Sequence, residues 1–176
     1  VITIPREILD VVIFSLIFTL IPFCNSIVLG ASKVKLGDYI QFGSYKGDPI
    51  LWRVININND GSAMLYSEKL LCMKAFDALG DMTDGRGDSD RKMYGSNYWE
   101  KSSIREWLNS SDKVVKYSCQ APDEKHVYRG ENDYASEPGF LYNFTAAERQ
   151  AIQPVTHKSM LAEVDKDVSQ GGSEAV

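Results

Sequence analysis

Cysteine and histidine are scarce in this chain. The 176 residues include three cysteines and two histidines, and neither a C-x-x-C nor an H-x-x-x-H pattern occurs. Zinc sites need such clustered ligands, so no zinc centre is expected. Downstream of residue 31 only Cys72 and Cys119 remain. They allow one disulfide at most, and whether they pair stays open because two cysteines do not make a disulfide framework.

An excess of positive charge is also lacking. Lys and Arg number 19 against 24 Asp and Glu, which gives a net charge of −5. Nucleic-acid binding depends on clusters of Lys and Arg that neutralise phosphates, so nucleic acid is not expected as a partner. The chain also has no phosphate-binding loop, internal repeat or low-complexity tract, and no cofactor is predicted.

Charge is missing altogether from residues 11–32. Arg6 precedes this apolar stretch, which is long enough to cross a bilayer, since roughly 20 apolar residues suffice. Residues 1–31 are therefore predicted to be a secretory signal peptide or an N-terminal membrane anchor, and both remain open. The rest of the chain is then extracytoplasmic, either secreted or anchored to the cell membrane, and it meets the membrane only through this segment.

Alternating apolar positions predict three strands after this segment, at residues 34–42, 50–57 and 62–67. Turn signals separate the strands, so they are expected to form an antiparallel β-meander with Trp52 on its packed face. Short helices and long loops follow. The expected fold for residues 32–176 is a single α+β domain.

Two short helices carry sequence signals for their first turns. Ser103 and Glu106 have the S-x-x-E spacing of a capping box, with Trp107 on the apolar face behind them. A helix this short is held by packing rather than by propensity, so Trp107 is expected in the core. Thr145 and Glu148 have the same spacing and open a second helix.

Two long polar loops, residues 77–97 and 110–139, flank the first helix. Loops of this length in a compact domain are usually functional. The first is acidic, and because calcium takes about six to eight oxygen ligands, its weak candidates for a calcium site are Asp81, Asp84, Asp88 and Asp90. Their spacing does not match a helix-loop-helix cation site, so a solvated loop without metal is favoured.

Aromatic residues are concentrated around the same loops. Flat apolar rings beside amides and carboxylates suit a sugar or peptide site. The candidates for contact with a cell-surface glycan or peptide are Tyr98, Trp99, Tyr128 and Tyr134. Such rings also serve to pin loops to a core. A non-enzymatic recognition module is therefore the main functional hypothesis, and a purely structural surface domain is one alternative.

An enzymatic role has less support. A nucleophile needs a base within reach, and the histidines are His126 and His157 alone. The second alternative is a cell-wall or protein-modifying enzyme, for which Cys119 and His157 are the candidate working groups. The sequence does not suffice to assign either as a catalytic residue. Nothing in the sequence determines the oligomeric state.

Four blocks in order carry a resemblance: Gly37-Asp38-Tyr39-Ile40-x-Phe42-Gly43, Pro49-Ile50-x-Trp52-Arg53-Val54, Trp99-x-x-Ser102-x-Ile104-Arg105-x-Trp107-Leu108-Asn109 and Phe144-Thr145-x-x-Glu148. Over residues 34–161 the chain resembles an uncharacterised family of bacterial domains of unknown function, found in secreted and membrane-anchored proteins. The resemblance implies a C-type-lectin-like fold and no established activity. Members of the family continue into W-L-R-S-P and G-V-R-P-A blocks, so the domain is expected to be truncated at its C-terminal end. The copper-binding cysteine pair of the similarly folded formylglycine-generating enzymes has no counterpart.

Overall fold

The computed structural model describes residues 2–4, 34–80, 95, 99–128, 132–155, 159–160 and 174–175. The chain forms two compact units. One, here called the sheet unit, comprises Val1–Leu71 and Asn143–Val155, and the other, the loop unit, comprises Cys72–Tyr142 and Thr156–Val176. Strands and short helices occur together, which confirms the mixed α+β class.

An antiparallel sheet forms most of the sheet unit. Its strands are β1 (Ile2–Ile4), β2 (Tyr39–Tyr45), β3 (Asp48–Ile57) and β4 (Ala63–Ser67), in the order β1-β4-β3-β2. Strands β2, β3 and β4 are the predicted meander. Strand β1 was not predicted, and it pairs with β4 in the segment for which the sequence predicts a leader or anchor. Residues 5–33 lie outside the described ranges, so the leader stays a prediction.

The two turns of the meander have the backbone conformations that their sequences favour. Lys46 and Gly47 have φ values of 52° and 90° between β2 and β3. Two successive positive φ values match the right-handed twist of the flanking strands. Between β3 and β4, Gly61 has a φ of 85° and its N–H donates to the Asn58 carbonyl oxygen at 2.9 Å.

Alternate strand residues form the core of the sheet unit. The buried apolar side chains of β2, β3 and β4 are Ile40, Phe42, Ile50, Trp52, Val54, Ala63 and Leu65. Trp52 is packed as predicted, and its Nε1–H donates to the Phe42 carbonyl oxygen at 2.7 Å. The ring of Phe144 meets that of Phe42 edge-on, with centroids 5.7 Å apart.

Helix α1 (Ser103–Asn109) lies in the loop unit and helix α2 (Ala146–Ala151) in the sheet unit. The capping box predicted for α2 is confirmed. Thr145 Oγ1 accepts the Glu148 N–H at 3.2 Å, and Glu148 Oε2 accepts the Thr145 N–H at 2.7 Å. Glu148 Oε1 also accepts the N–H of Gly43 at 2.8 Å, which ties α2 to strand β2.

The capping box predicted for α1 is wrong by one residue. Ser102 is the N-cap, and its Oγ accepts a backbone N–H of the first turn at 3.3 Å. Ser103 donates from N and Oγ to Asp77 Oδ1 at 3.1 and 3.0 Å. A carboxylate from another segment therefore takes the N–H at the helix start, where negative charge is favoured. Glu106 accepts hydrogen bonds from Ser118 instead.

Trp107 is the centre of the loop unit's core, as predicted. Its side chain is buried, and its ring centroid lies 5.4 Å from that of Phe140. Its Nε1–H donates to the Pro138 carbonyl oxygen at 3.0 Å. The remaining described elements are 3₁₀ turns at Trp99–Lys101 and Phe140–Asn143 and an antiparallel pair, β5 (Ser159–Met160) and β6 (Glu174–Ala175).

Candidate functional site

Two exposed aromatic rings lie next to each other in the loop unit. Phe76 is 42% exposed and Trp99 is 37% exposed. Their ring centroids are 6.1 Å apart and their planes are inclined by 44°. These two residues are called the aromatic pair below. Contact between the two rings joins their exposed apolar areas into one surface, and contiguous apolar surface is where partners bind.

The backbone beside each ring is held by the start of helix α1. The Phe76 carbonyl oxygen accepts the N–H of Ile104 at 3.1 Å. The Trp99 carbonyl oxygen accepts the N–H and the Oγ–H of Ser102, at 3.1 and 2.9 Å. Since Ser102 is buried, the two rings extend from a fixed base. A ligand that contacts them would order little backbone on binding, which lowers the entropic cost of association.

Asp77 stabilises the same region through hydrogen bonds to the start of α1. It follows Phe76 directly, its side chain is buried, and its Oδ1 accepts two hydrogen bonds from Ser103. The Ser103 Oγ in turn accepts the N–H of Ala78 at 3.2 Å. This network connects the segment that carries Phe76 to the first turn of α1. Asp77 was interpreted from the sequence only as part of an acidic loop, whereas it stabilises the helix start.

Only part of the predicted aromatic site has the exposure that binding requires. Tyr128 is exposed, and Tyr98 lies outside the described residues. Tyr134 is 0% exposed, so its side chain is part of the core of the loop unit, and its role as a ligand contact stays a prediction. Its hydroxyl donates to the Ala75 carbonyl oxygen at 2.8 Å and its ring meets Trp107 edge-on at 6.1 Å. Burial raises the pKa of the Tyr134 hydroxyl far above its usual value, since an isolated phenolate is poorly solvated there.

Tyr134 is instead one wall of a box around a lysine. The side chain of Lys74 is 1% exposed, and its Nζ lies 4.6 Å from the ring centroids of both Trp107 and Tyr134. Nζ also donates to Glu137 Oε2 at 2.8 Å. A buried ammonium is tolerated only with such partners, because desolvation of an unpaired charge is very costly. The sequence carries no local signal for this box, since its members come from three distant positions.

The catalytic candidates are described only in part. His126 Nδ1 lies 2.7 Å from Asp123 Oδ1 and 3.2 Å from Gln120 Nε2, so both of these contacts are local to its turn. Burial opposes ionisation of Asp123, but hydrogen bonds from Lys125 and His126 outweigh it and lower the carboxyl pKa. Cys119 accepts a long contact from the hydroxyl of its neighbour in the chain at 3.8 Å. Cys72 and Cys119 are not joined by a disulfide.

The remaining functional predictions fall outside the described ranges. His157 and the calcium candidates Asp81, Asp84, Asp88 and Asp90 are among those residues, so a calcium site and a role for His157 stay predictions. Within the described ranges, no group of three or more His, Cys, Asp or Glu side chains could hold a metal ion. A search of those same ranges finds no helix with the length and apolar character needed to cross a membrane.

The antiparallel sheet and the short helices of the described residues define a mixed α+β fold. The chain belongs to the family described as a domain of unknown function, DUF6273, which it matches over residues 60–175. The expectation of an uncharacterised domain family is thereby confirmed. No curated protein matches the chain, and no solved structure matches it.

Proposed function

We propose that this protein is a non-enzymatic recognition module that binds a cell-surface glycan or peptide through Phe76 and Trp99. The observation that carries the proposal is the aromatic pair itself: two exposed rings in contact, each fixed by backbone hydrogen bonds to the start of α1. Of the residues predicted from the sequence, Trp99 is retained as the central contact and Tyr128 as a further one. Phe76 is the addition that the structure makes.

The chemistry of the pair favours a ligand with an apolar face. Sugar rings present C–H groups on one side and hydroxyls at their edge, and peptides present aliphatic or aromatic side chains, and both stack on indole and phenyl rings. Aromatic anchors contribute large contact area with few rotatable bonds, so they bind at a low entropic cost. The nearby Asp77 carboxylate is buried and engaged with Ser103, so it does not add a charge to this surface.

Extracytoplasmic location and a C-type-lectin-like fold are parts of the same proposal. The uncharged residues 11–32 and the resemblance of the four sequence blocks support them. Expression of the full chain in a bacterial host, followed by fractionation and N-terminal sequencing, tests the location. Protein found only in the cytosol with an intact N-terminus would contradict the extracytoplasmic part while leaving the ligand proposal to its own experiment.

The binding experiment uses the full chain with bacterial wall polysaccharides and a peptide array. Trp99→Ala and Phe76→Ala are each expected to reduce retention at least about tenfold, since one decade of affinity corresponds to about 1.4 kcal/mol and stacking on one ring is of that order. Tyr142→Ala is the matched control, because Tyr142 has similar exposure in the loop unit at 40%. Near-ultraviolet circular dichroism confirms that the variants are folded. Equal retention of all three variants and the parent would refute the proposal.

A further inference from the structure

The outer face of the sheet in the sheet unit is exposed and rich in apolar and aromatic side chains. In an antiparallel sheet successive residues alternate between the two faces, and the residues opposite to the buried set include Tyr39, Gln41, Leu51, Arg53, Ile55 and Tyr66. Tyr39 is 53% exposed and Tyr66 is 57% exposed. Both tyrosines lie outside the core, so their rings are available for contact with a partner.

Three of these residues form a row across three strands. Tyr39 on β2 is opposite Arg53 on β3, and Arg53 is opposite Tyr66 on β4. Opposed Cα atoms on adjacent antiparallel strands are about 4.5–5.5 Å apart, so the Cα atoms of the two tyrosines are about 10 Å apart, with Arg53 on the strand between them. This distance matches the repeat of a β-1,4-linked disaccharide.

Arg53 is held in place by its neighbours. Its Nε and Nη2 donate to Glu68 Oε2 and Oε1 at 2.8 and 2.6 Å. Nη2 also donates to the Tyr39 hydroxyl at 2.7 Å, and the guanidinium carbon lies 5.2 Å from the Tyr39 ring centroid. The bidentate pairing with Glu68 leaves the row without net charge. A charged partner would therefore gain little electrostatic free energy on this face, and an uncharged partner would not have to displace an unpaired charge.

Polar groups on the row and beside it retain hydrogen-bonding capacity. The Nη1 group of Arg53, the hydroxyl of Tyr66 and the side-chain amide of Gln41 make no hydrogen bond to the residues that the structure describes. A dry protein surface placed on this face would bury these donors and acceptors unpaired, which is costly. A polyhydroxylated ligand would satisfy them while its C–H faces stack on the rings.

We propose that this sheet face binds a linear, uncharged β-1,4-linked glycan, with Tyr39 and Tyr66 stacking on sugar units two apart, Arg53 donating to the hydroxyls between them and Gln41 donating to hydroxyls beside the row. The site lies in the sheet unit, whereas the aromatic pair lies in the loop unit. It shares only the ligand class with the proposed function, so either can fail alone. Leu51 and Ile55, two residues on either side of Arg53 along β3, bound the row with apolar area.

Isothermal calorimetry of the full chain with cellohexaose and with chitohexaose tests the proposal. Binding of at least one hexasaccharide is expected, and its affinity should rise between the disaccharide and the tetrasaccharide because two rings are engaged only by the longer ligand. Tyr39→Ala and Tyr66→Ala should each lower the affinity at least about tenfold. Tyr39→Phe keeps the ring and removes the hydroxyl, so it should retain most of the affinity for the hexasaccharide. Leu70→Ala, an exposed apolar change in the same unit outside the sheet, is the control.

Three results would overturn the proposal. The first is no binding of either hexasaccharide, and the second is unchanged affinity in both alanine variants. The third is a dimer, seen by analytical ultracentrifugation, that Tyr66→Ala dissociates without affecting glycan binding, since the face would then be an interface between copies. Trp99→Ala separates this site from the other: if it abolishes glycan binding while the tyrosine variants do not, the function proposed for the aromatic pair stands and the sheet-face site does not.

Discussion

Replacement of Trp107 by alanine should remove the core of the loop unit. The indole ring is 1% exposed. It contacts Phe140 at 5.4 Å and Tyr134 at 6.1 Å between ring centroids, and it forms one side of the box around the Lys74 ammonium. Its Nε1–H donates to the carbonyl oxygen of Pro138. One substitution thus affects apolar packing, a hydrogen bond and the environment of a charge.

The magnitude follows from these contacts. Loss of a buried Trp to Ala costs about 3–5 kcal/mol in transfer and cavity terms. Loss of the hydrogen bond to the Pro138 carbonyl oxygen adds about 1 kcal/mol, and the buried ammonium loses one of its two aromatic neighbours. Helix α1 has seven residues, and helices shorter than about 12 residues are marginal on their own. A total near 5 kcal/mol is a large share of the roughly 5–15 kcal/mol that stabilises a domain.

Thermal unfolding of the full chain by circular dichroism measures this loss. A change of 1 kcal/mol moves Tm by about 2–4 °C for a protein of this size, so Trp107→Ala should melt about 10–20 °C below the parent or fail to fold. The Tm of Trp107→Phe should lie between those of Trp107→Ala and the parent, because phenylalanine keeps an aromatic ring and lacks the N–H. Trp99→Ala is the control, since its ring is partly solvated. If Trp107→Ala melts within about 3 °C of the parent, the packing role assigned to the indole ring is wrong.

Three further predictions concern the starts of the two helices and the strand residue Gly43 that contacts one of them. Gly43→Ala should destabilise the sheet unit by about 2–4 kcal/mol in urea unfolding, because Gly43 has a φ of +67° and an added Cβ would collide with the Phe144 ring; a change below about 1 kcal/mol would contradict this. Burial opposes ionisation of Glu148, yet its backbone hydrogen bonds lower its pKa overall. Its stabilising effect is then present above the unfolded pKa of about 4.3 and lost as the pH falls through the folded value. Glu148→Gln should therefore be less stable than the parent at about pH 7 and equally stable at about pH 2. A stability difference that does not change with pH would contradict this. Asp77→Ala should lower stability by about 2 kcal/mol, because the Ser103 N–H is left buried without its acceptor, and unchanged amide exchange at Ser103 would count against it.

Sequence signals among neighbouring residues determined the meander and the second helix. Strand periodicity and the turn at Lys46-Gly47 need only neighbouring residues, since positive φ and alternating burial are short-range properties. The Thr145 and Glu148 capping box likewise closes within four residues. Burial of Trp107 was also predictable, because a helix too short to hold itself must be fixed by packing.

Tertiary structure alone decided the site. Whether Tyr134 would line a surface or fill the core depended on Lys74, which reaches the same place from 60 residues earlier in the chain. The cap of α1 shifted by one residue because the Asp77 carboxylate took the Ser103 N–H. The aromatic partner of Trp99 likewise comes from a separate segment. The burial of Tyr134 and the shifted cap of α1 each depend on partners distant in sequence that meet at one buried group. The desolvation and packing energies that favour these contacts arise only once the chain has folded.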